Sequence, residues 1–159
     1  MSIHWPEQNA SAKSGPGTQG MPQSFNQTMA YLALTQIHDA EKTYSERYAK
    51  GFSASLGQLG PPPSWSGTDS EHAGLFDPMH DSRGLADGAV TYSSQGYRVA
   101  YIPGNRDSLG KVTSYQVTAR PIEHGKTGSR SFWMDETGAI HQTEADRSAS
   151  RSDQKAQLN

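Results

Sequence analysis

Cysteine is absent from the 159 residues, which excludes disulfides, thiolate metal sites and cysteine nucleophiles together and is compatible with any compartment. Leu, Ile, Val and Phe are scarce. Together they fill 21 positions, about 13% of the chain, below the roughly 20% at which a sequence begins to look disordered. Part of the chain is therefore expected not to fold. An excess of charge is missing too: 14 Lys and Arg against 16 Asp and Glu leave −2, no electrostatic footprint for DNA, RNA or an anionic membrane surface, so nucleic acid is excluded as a partner. Long apolar runs are lacking. The longest spans Met29 to Leu34, where a membrane span needs about 20 residues and a secretory signal core roughly 7 to 15. Neither direct membrane insertion by this chain nor a visible export signal is expected.

What is present suits one domain with tails. Residues 1–23 mix Gly and Pro with Ser, Gln and Asn, a composition that cannot offset the entropy of ordering and predicts a disordered leader. From Ser24 the apolar residues Phe25, Met29, Leu32, Leu34, Ile37, Ala40, Tyr44 and Tyr48 recur at mostly helical steps, predicting one long helix over 24–50. Ser24 with Gln27 fits a capping box, and Gly51 fits a stop. About 26 residues at 1.5 Å each make a rod of roughly 39 Å. Residues 51–95 are rich in Gly and Pro and predict an irregular connection, with short helical turns near 53–59 and 73–79. Over 96–142 strands are expected. Tyr97, Val99 and Tyr101 alternate with polar or small residues, as do Tyr115, Val117 and Ala119, and Ser131–Asp135 and Ala139–Gln142 flank a turn with Gly138 at a position needing positive φ. Residues 143–159 predict a disordered tail. The fold class is thus α+β: one long helix packed on an antiparallel sheet of about four strands.

The order of several fragments resembles a known family. Asn26, Leu34, Ile37, Ala40, Glu41, Tyr44, Tyr48, Gly51, Phe52 and Leu59 are similar to the second half of the long helix, and the loop after it, of bacterial type IV pilin-like and pseudopilin proteins. Ala73, Gly74 and Leu75 agree, as do Gly96, Tyr97, Tyr101 and Pro103. Tyr115, Val117, Thr118, Ala119 and Pro121 follow, and then Gly125, Thr127, Gly128, Arg130, Phe132, Asp135, Gly138 and Ile140. Short pilins with a small soluble head are the best likeness, over roughly residues 26–142. The resemblance implies a helix on an antiparallel sheet, assembly with other pilin-like subunits or envelope proteins, a place outside the cytoplasm and no catalytic activity. The family begins with a basic leader, a processed Phe or Met, an early glutamate and about 20 apolar residues. Here Gly20 and Met21 are followed by Pro22 and no such run, so a soluble or truncated variant, or a replaced N-terminus, is expected.

Other chemistry finds less support. His72, Asp77, His80 and Asp81 lie close in sequence and contain metal-ligand types, yet their spacing matches no ligand motif and solvated loop side chains explain them as well. Six His among many Ser could form a triad, but no G-x-S-x-G elbow is present. Gly125, Lys126 and Thr127 end like a phosphate loop, whereas its upstream glycine would fall on Arg120. No cofactor is expected. Tyr31, Tyr44 and Tyr48 fit core packing better than a stacking stripe. Four residues are marked for contacts. Glu41 is expected to pair with Arg98 or Arg130 or to join subunits, Trp65 and Trp133 are the aromatics to test for exposure, and Tyr31 lies on the helix. The alternative function is a soluble ligand-binding domain using the 57–95 loop, and a small hydrolase or metalloenzyme is the third.

Overall fold

Alternation of buried and exposed residues builds the sheet. In β2, Tyr97–Pro103, residues Tyr97, Val99 and Tyr101 point inward, and in β3, Tyr115–Pro121, so do Tyr115, Val117, Ala119 and Pro121. Strand β4, Ser131–Asp135, is buried on both faces, and β5 runs Ile140–Thr143. Two further strands close the edges, β1 at Thr91–Ser94 and β6 at Gln154–Lys155. All six pair with their sequence neighbours in the order β1-β2-β3-β4-β5-β6, antiparallel throughout. The computed structural model describes residues 22–63, 66–78 and 88–156, and the expected leader, apart from its last two positions, lies outside them.

One helix, α1, Gln23–Tyr48, lies on the inner face. The α+β architecture is as expected, with six strands rather than about four. The expected capping box does not form: α1 starts at Gln23 with Pro22 as its cap and no side-chain cap bond. Its first polar residues reach across to the β3–β4 turn instead. Gln23 Nε2 donates to the Gly125 carbonyl (2.8 Å), Asn26 Nδ2 to the Thr127 carbonyl (2.9 Å), and Gln27 Oε1 accepts from the Ser129 amide (2.8 Å). At the other end the helix stops two residues earlier than expected, where Ala49 turns left-handed (φ 54°). Gly51 then passes so close to Val112 that a Cβ there would run into the Val112 carbonyl oxygen.

The shortage of Leu, Ile, Val and Phe is met by tyrosine. Five of the seven, Tyr44, Tyr92, Tyr97, Tyr101 and Tyr115, are buried. Their rings fill the layer between α1 and the sheet, with Tyr101 stacked on Tyr115 at 5.4 Å. A buried hydroxyl needs a partner. Tyr44 donates to the Ser70 carbonyl (2.7 Å), Tyr97 to that of Arg130 (2.6 Å) and Tyr101 to that of Ser53 (2.7 Å).

The connection after α1 is ordered where described. A 3-10 turn, Leu56–Leu59, buries both leucines, as the expectation near 53–59 had it. No helical turn follows over 73–78. There the amides of Ala73, Gly74, Leu75 and Phe76 donate to the carbonyls of Gln58, Gly60, Leu59 and again Leu59 at 2.7–2.9 Å, so that stretch lies as a ribbon along the 3-10 turn. The β4–β5 turn has Gly138 at φ 84°, as its position required.

The tail expectation is corrected over 143–156. Ala149 is buried and β6 pairs with β5. Charged side chains of the segment are paired: Arg147 holds Asp153 bidentately (2.7 and 2.9 Å), Arg120 meets Asp146 (2.7 Å), and Arg151 meets Asp135 (3.0 Å).

Candidate functional site

Positions 34, 37, 41 and 44 are three or four apart, so they share one stripe of a helix. Glu41 therefore stands among Leu34, Ile37 and Tyr44 and is 0% exposed. Its Oε1 accepts from the Ser53 amide (2.8 Å) and its Oε2 from the Ser53 hydroxyl (2.6 Å). The Ser53 carbonyl in turn takes the Tyr101 hydroxyl. Next to it, His38 Nδ1 meets the Tyr115 hydroxyl at 3.2 Å. Burial pushes the Glu41 carboxyl up to about 7 against the opposing bonds from Ser53. Burial, and then the Glu41 carboxylate, push the Tyr101 hydroxyl far above its ordinary range. Such a perturbed acid invites a catalytic reading. Glu41, Ser53 and Tyr101 are all sealed from solvent, however, and a reacting group must touch its substrate. The cluster ties α1 to the loop after it and to β2.

The expected ion pair of Glu41 is overturned. Arg98 points outward from β2, Arg130 lies 3.7 Å from Glu144, and the helical stripe keeps Glu41 on the inner face. Trp133 is corrected as well: it is 5% exposed on the outer face. Its indole N–H donates to Gln116 Oε1 (3.1 Å), His141 packs edge-on at 5.5 Å, and Arg151 lies 5.6 Å over the ring. Tyr31 is half-buried, edge-on to Phe132 at 6.1 Å, and Tyr48 tilts against Tyr44 at 5.1 Å. Trp65, His80 and Asp81 lie outside the described residues. His72 sits 3.7 Å from Asp69, while Asp77 is exposed. Among the described residues no three His, Asp or Glu side chains converge to hold a metal. The rings of His124 and His141 go to the carbonyls of Glu144 and Asp153 rather than to a serine. Gly125–Thr127 form a turn closed by the Gly125 amide on the Gly128 carbonyl (2.7 Å).

A groove opens where α1 leaves the sheet edge. Met29, Leu32 and Ala33 form one wall, Phe76 and Pro78 another, and Tyr92 and Gln95 the third. Its cavity volume is about 70 Å³, room for one small apolar side chain. Gln95 had no signal in the sequence. At φ 51° it forms the β1–β2 turn together with Gly96, is 8% exposed, and its Oε1 has no hydrogen-bond partner. A buried acceptor left this way is costly and calls for a donor. A shallower trough continues from the groove past Gln36 and Phe76 to Asp39 and Asp77, which are both exposed. No described helix is long and apolar enough to cross a membrane. Compared with protein-family models, curated proteins and solved structures, the chain matches none.

Proposed function

We propose that this chain is a non-enzymatic, pilin-like structural or interaction module of a type IV pilus or type II secretion-like system, working outside the cytoplasm. The observation that carries this reading is one 26-residue helix laid across an antiparallel meander, the arrangement that the family resemblance implies. Its polar clusters hold the helix to the loop after it and to the β3–β4 turn, as Glu41 on Ser53 and Asn26 on Thr127 illustrate. The module acts by docking, offering apolar side chains such as Phe25 and Leu32 on α1 and Ile122 after β3, all exposed, to envelope subunits. The absence of native cysteine makes a clean test. Phe25→Cys and Ile122→Cys variants, expressed in the native host and oxidatively cross-linked, should trap pilin-like subunits or envelope proteins. Cross-links only to cytosolic proteins would overturn the assignment.

One observation favours a second reading, a ligand-binding domain using the 57–95 segment: Phe76, Pro78, Tyr92 and Gln95 of that segment line the groove. A small molecule retained at one per chain in native mass spectrometry would support it over the first.

A further inference from the structure

Leu109 is the most exposed large apolar side chain among the described residues, at 78%. It stands at the tip of the β2–β3 loop, and that loop is stiffly built. Asp107 Oδ1 accepts from the amides of Leu109 (2.8 Å) and Lys111 (2.9 Å), the Asp107 amide donates to the Lys111 carbonyl (2.9 Å), and Arg106 reaches the Gly110 carbonyl (3.0 Å). A side chain presented on a preorganised loop loses little entropy on docking. The exposed Asp107 carboxylate is engaged through Oδ1 by two amides, and the two cations Arg106 and Lys111 outnumber it, leaving the loop around Leu109 net positive. The groove has the complementary character: an apolar slot for one side chain, continuing into a trough that carries the carboxylates of Asp39 and Asp77.

The two features lie at opposite ends of the molecule. The groove adjoins the Gln95–Gly96 turn, where β2 begins, and the N-terminal half of α1. The Leu109 loop leaves the far end of β2 and sits at the C-terminal end of α1, where Phe52 donates to the Val112 carbonyl. We propose that Leu109 of a second copy of this chain enters the groove, with Arg106 and Lys111 beside Asp39 and Asp77. The contact joins unlike surfaces, so copies add head to tail and extend unless the rotation closes a ring. This rests on the interaction-module reading and names one partner of that module, the chain itself.

The test is sedimentation velocity on the full chain over a concentration series. The parent should show a sedimentation coefficient that keeps rising past that of a dimer, with association weakened at about 1 M salt, where charges are screened beyond roughly 3 Å. Leu109→Asp removes the knob and Ala33→Phe fills the slot. Each variant alone should stay monomeric with an unchanged melting temperature. Mixed in equal amounts they should form a dimer and nothing larger, because one intact knob and one intact groove remain. A parent that stays monomeric at the highest concentration, a Leu109→Asp variant that associates like the parent, or a mixture without dimer overturns the proposal. If those failures occur while the cysteine variants still trap envelope subunits, head-to-tail docking is wrong and the module reading stands.

Discussion

At the scale of single residues, Glu41 and Tyr101 carry the clearest consequences. A carboxyl held near 7 in the folded chain, against 4.5 for the free group, binds its proton more tightly folded than unfolded. Its contribution is therefore most favourable below pH 4.5, declines as pH rises to about 7, and is level above that. At 1.36 kcal/mol per unit the loss comes to roughly 3 kcal/mol. Urea midpoints measured across this range should fall with pH, and Glu41→Gln should flatten the slope. A wild-type midpoint that is level between pH 4.5 and 7 would contradict the burial of this acid. The opposite sign applies to Asp135. Although partial burial pushes its carboxyl up, bonds from Thr137 and Arg151 hold it below the usual range, so its stabilisation is lost in strong acid. Tyr101→Phe keeps the stacked ring but strips the buried Ser53 carbonyl of its donor, a change expected to cost about 1–3 kcal/mol in the same urea assay.

At the scale of elements, the C-terminal segment 144–156 is a cover for Trp133 as well as an edge. Deleting it should lower the melting temperature, by an amount equivalent to about 1–3 kcal/mol. In a Trp5→Phe, Trp65→Phe background it should also shift the Trp133 emission to the red. Unchanged emission would mean that Arg151 and its neighbours do not shield the ring. Elements with strong periodic patterns were legible from sequence: α1 from its steps of three and four, β2 and β3 from tyrosine and valine alternation, the β4–β5 hairpin from Gly138. Strands β1 and β6 were not, because Thr91–Ser94 has one apolar residue and Gln154–Lys155 none. Backbone partners left by β2 and β5 make strands of them. The burial of Glu41 stood in its spacing from Ile37 and Tyr44, but a charged residue type suggests the surface unless position is weighed first. Gln95 and the groove arise from three chain segments meeting, which no local pattern encodes.

At the scale of the whole molecule, strand pairing is entirely between neighbours while the helix is held from afar. Isolated helices draw little stability from propensity, and α1 starts at Gln23 behind Pro22 with no side-chain cap. A peptide of residues 23–48 is therefore expected to be mainly coil by circular dichroism. In the full chain, helix loss in the far ultraviolet and tyrosine packing in the near ultraviolet should unfold with one midpoint. Separate midpoints would show that α1 and the sheet are independent units.

The bond from Asn26 to the Thr127 carbonyl spans 101 positions, and this sets an order of events at the ribosome. The helix is the first described element to be translated, and the turn that clamps its start follows about a hundred residues later. At roughly 5–20 residues per second, about 5–20 s pass between its emergence and that of the β3–β4 turn that clamps it. For that interval Leu34 and Ile37 wait without the complete sheet they pack against, so the glutamate that is a burden in the finished core is also the charge that keeps the waiting stripe wetted.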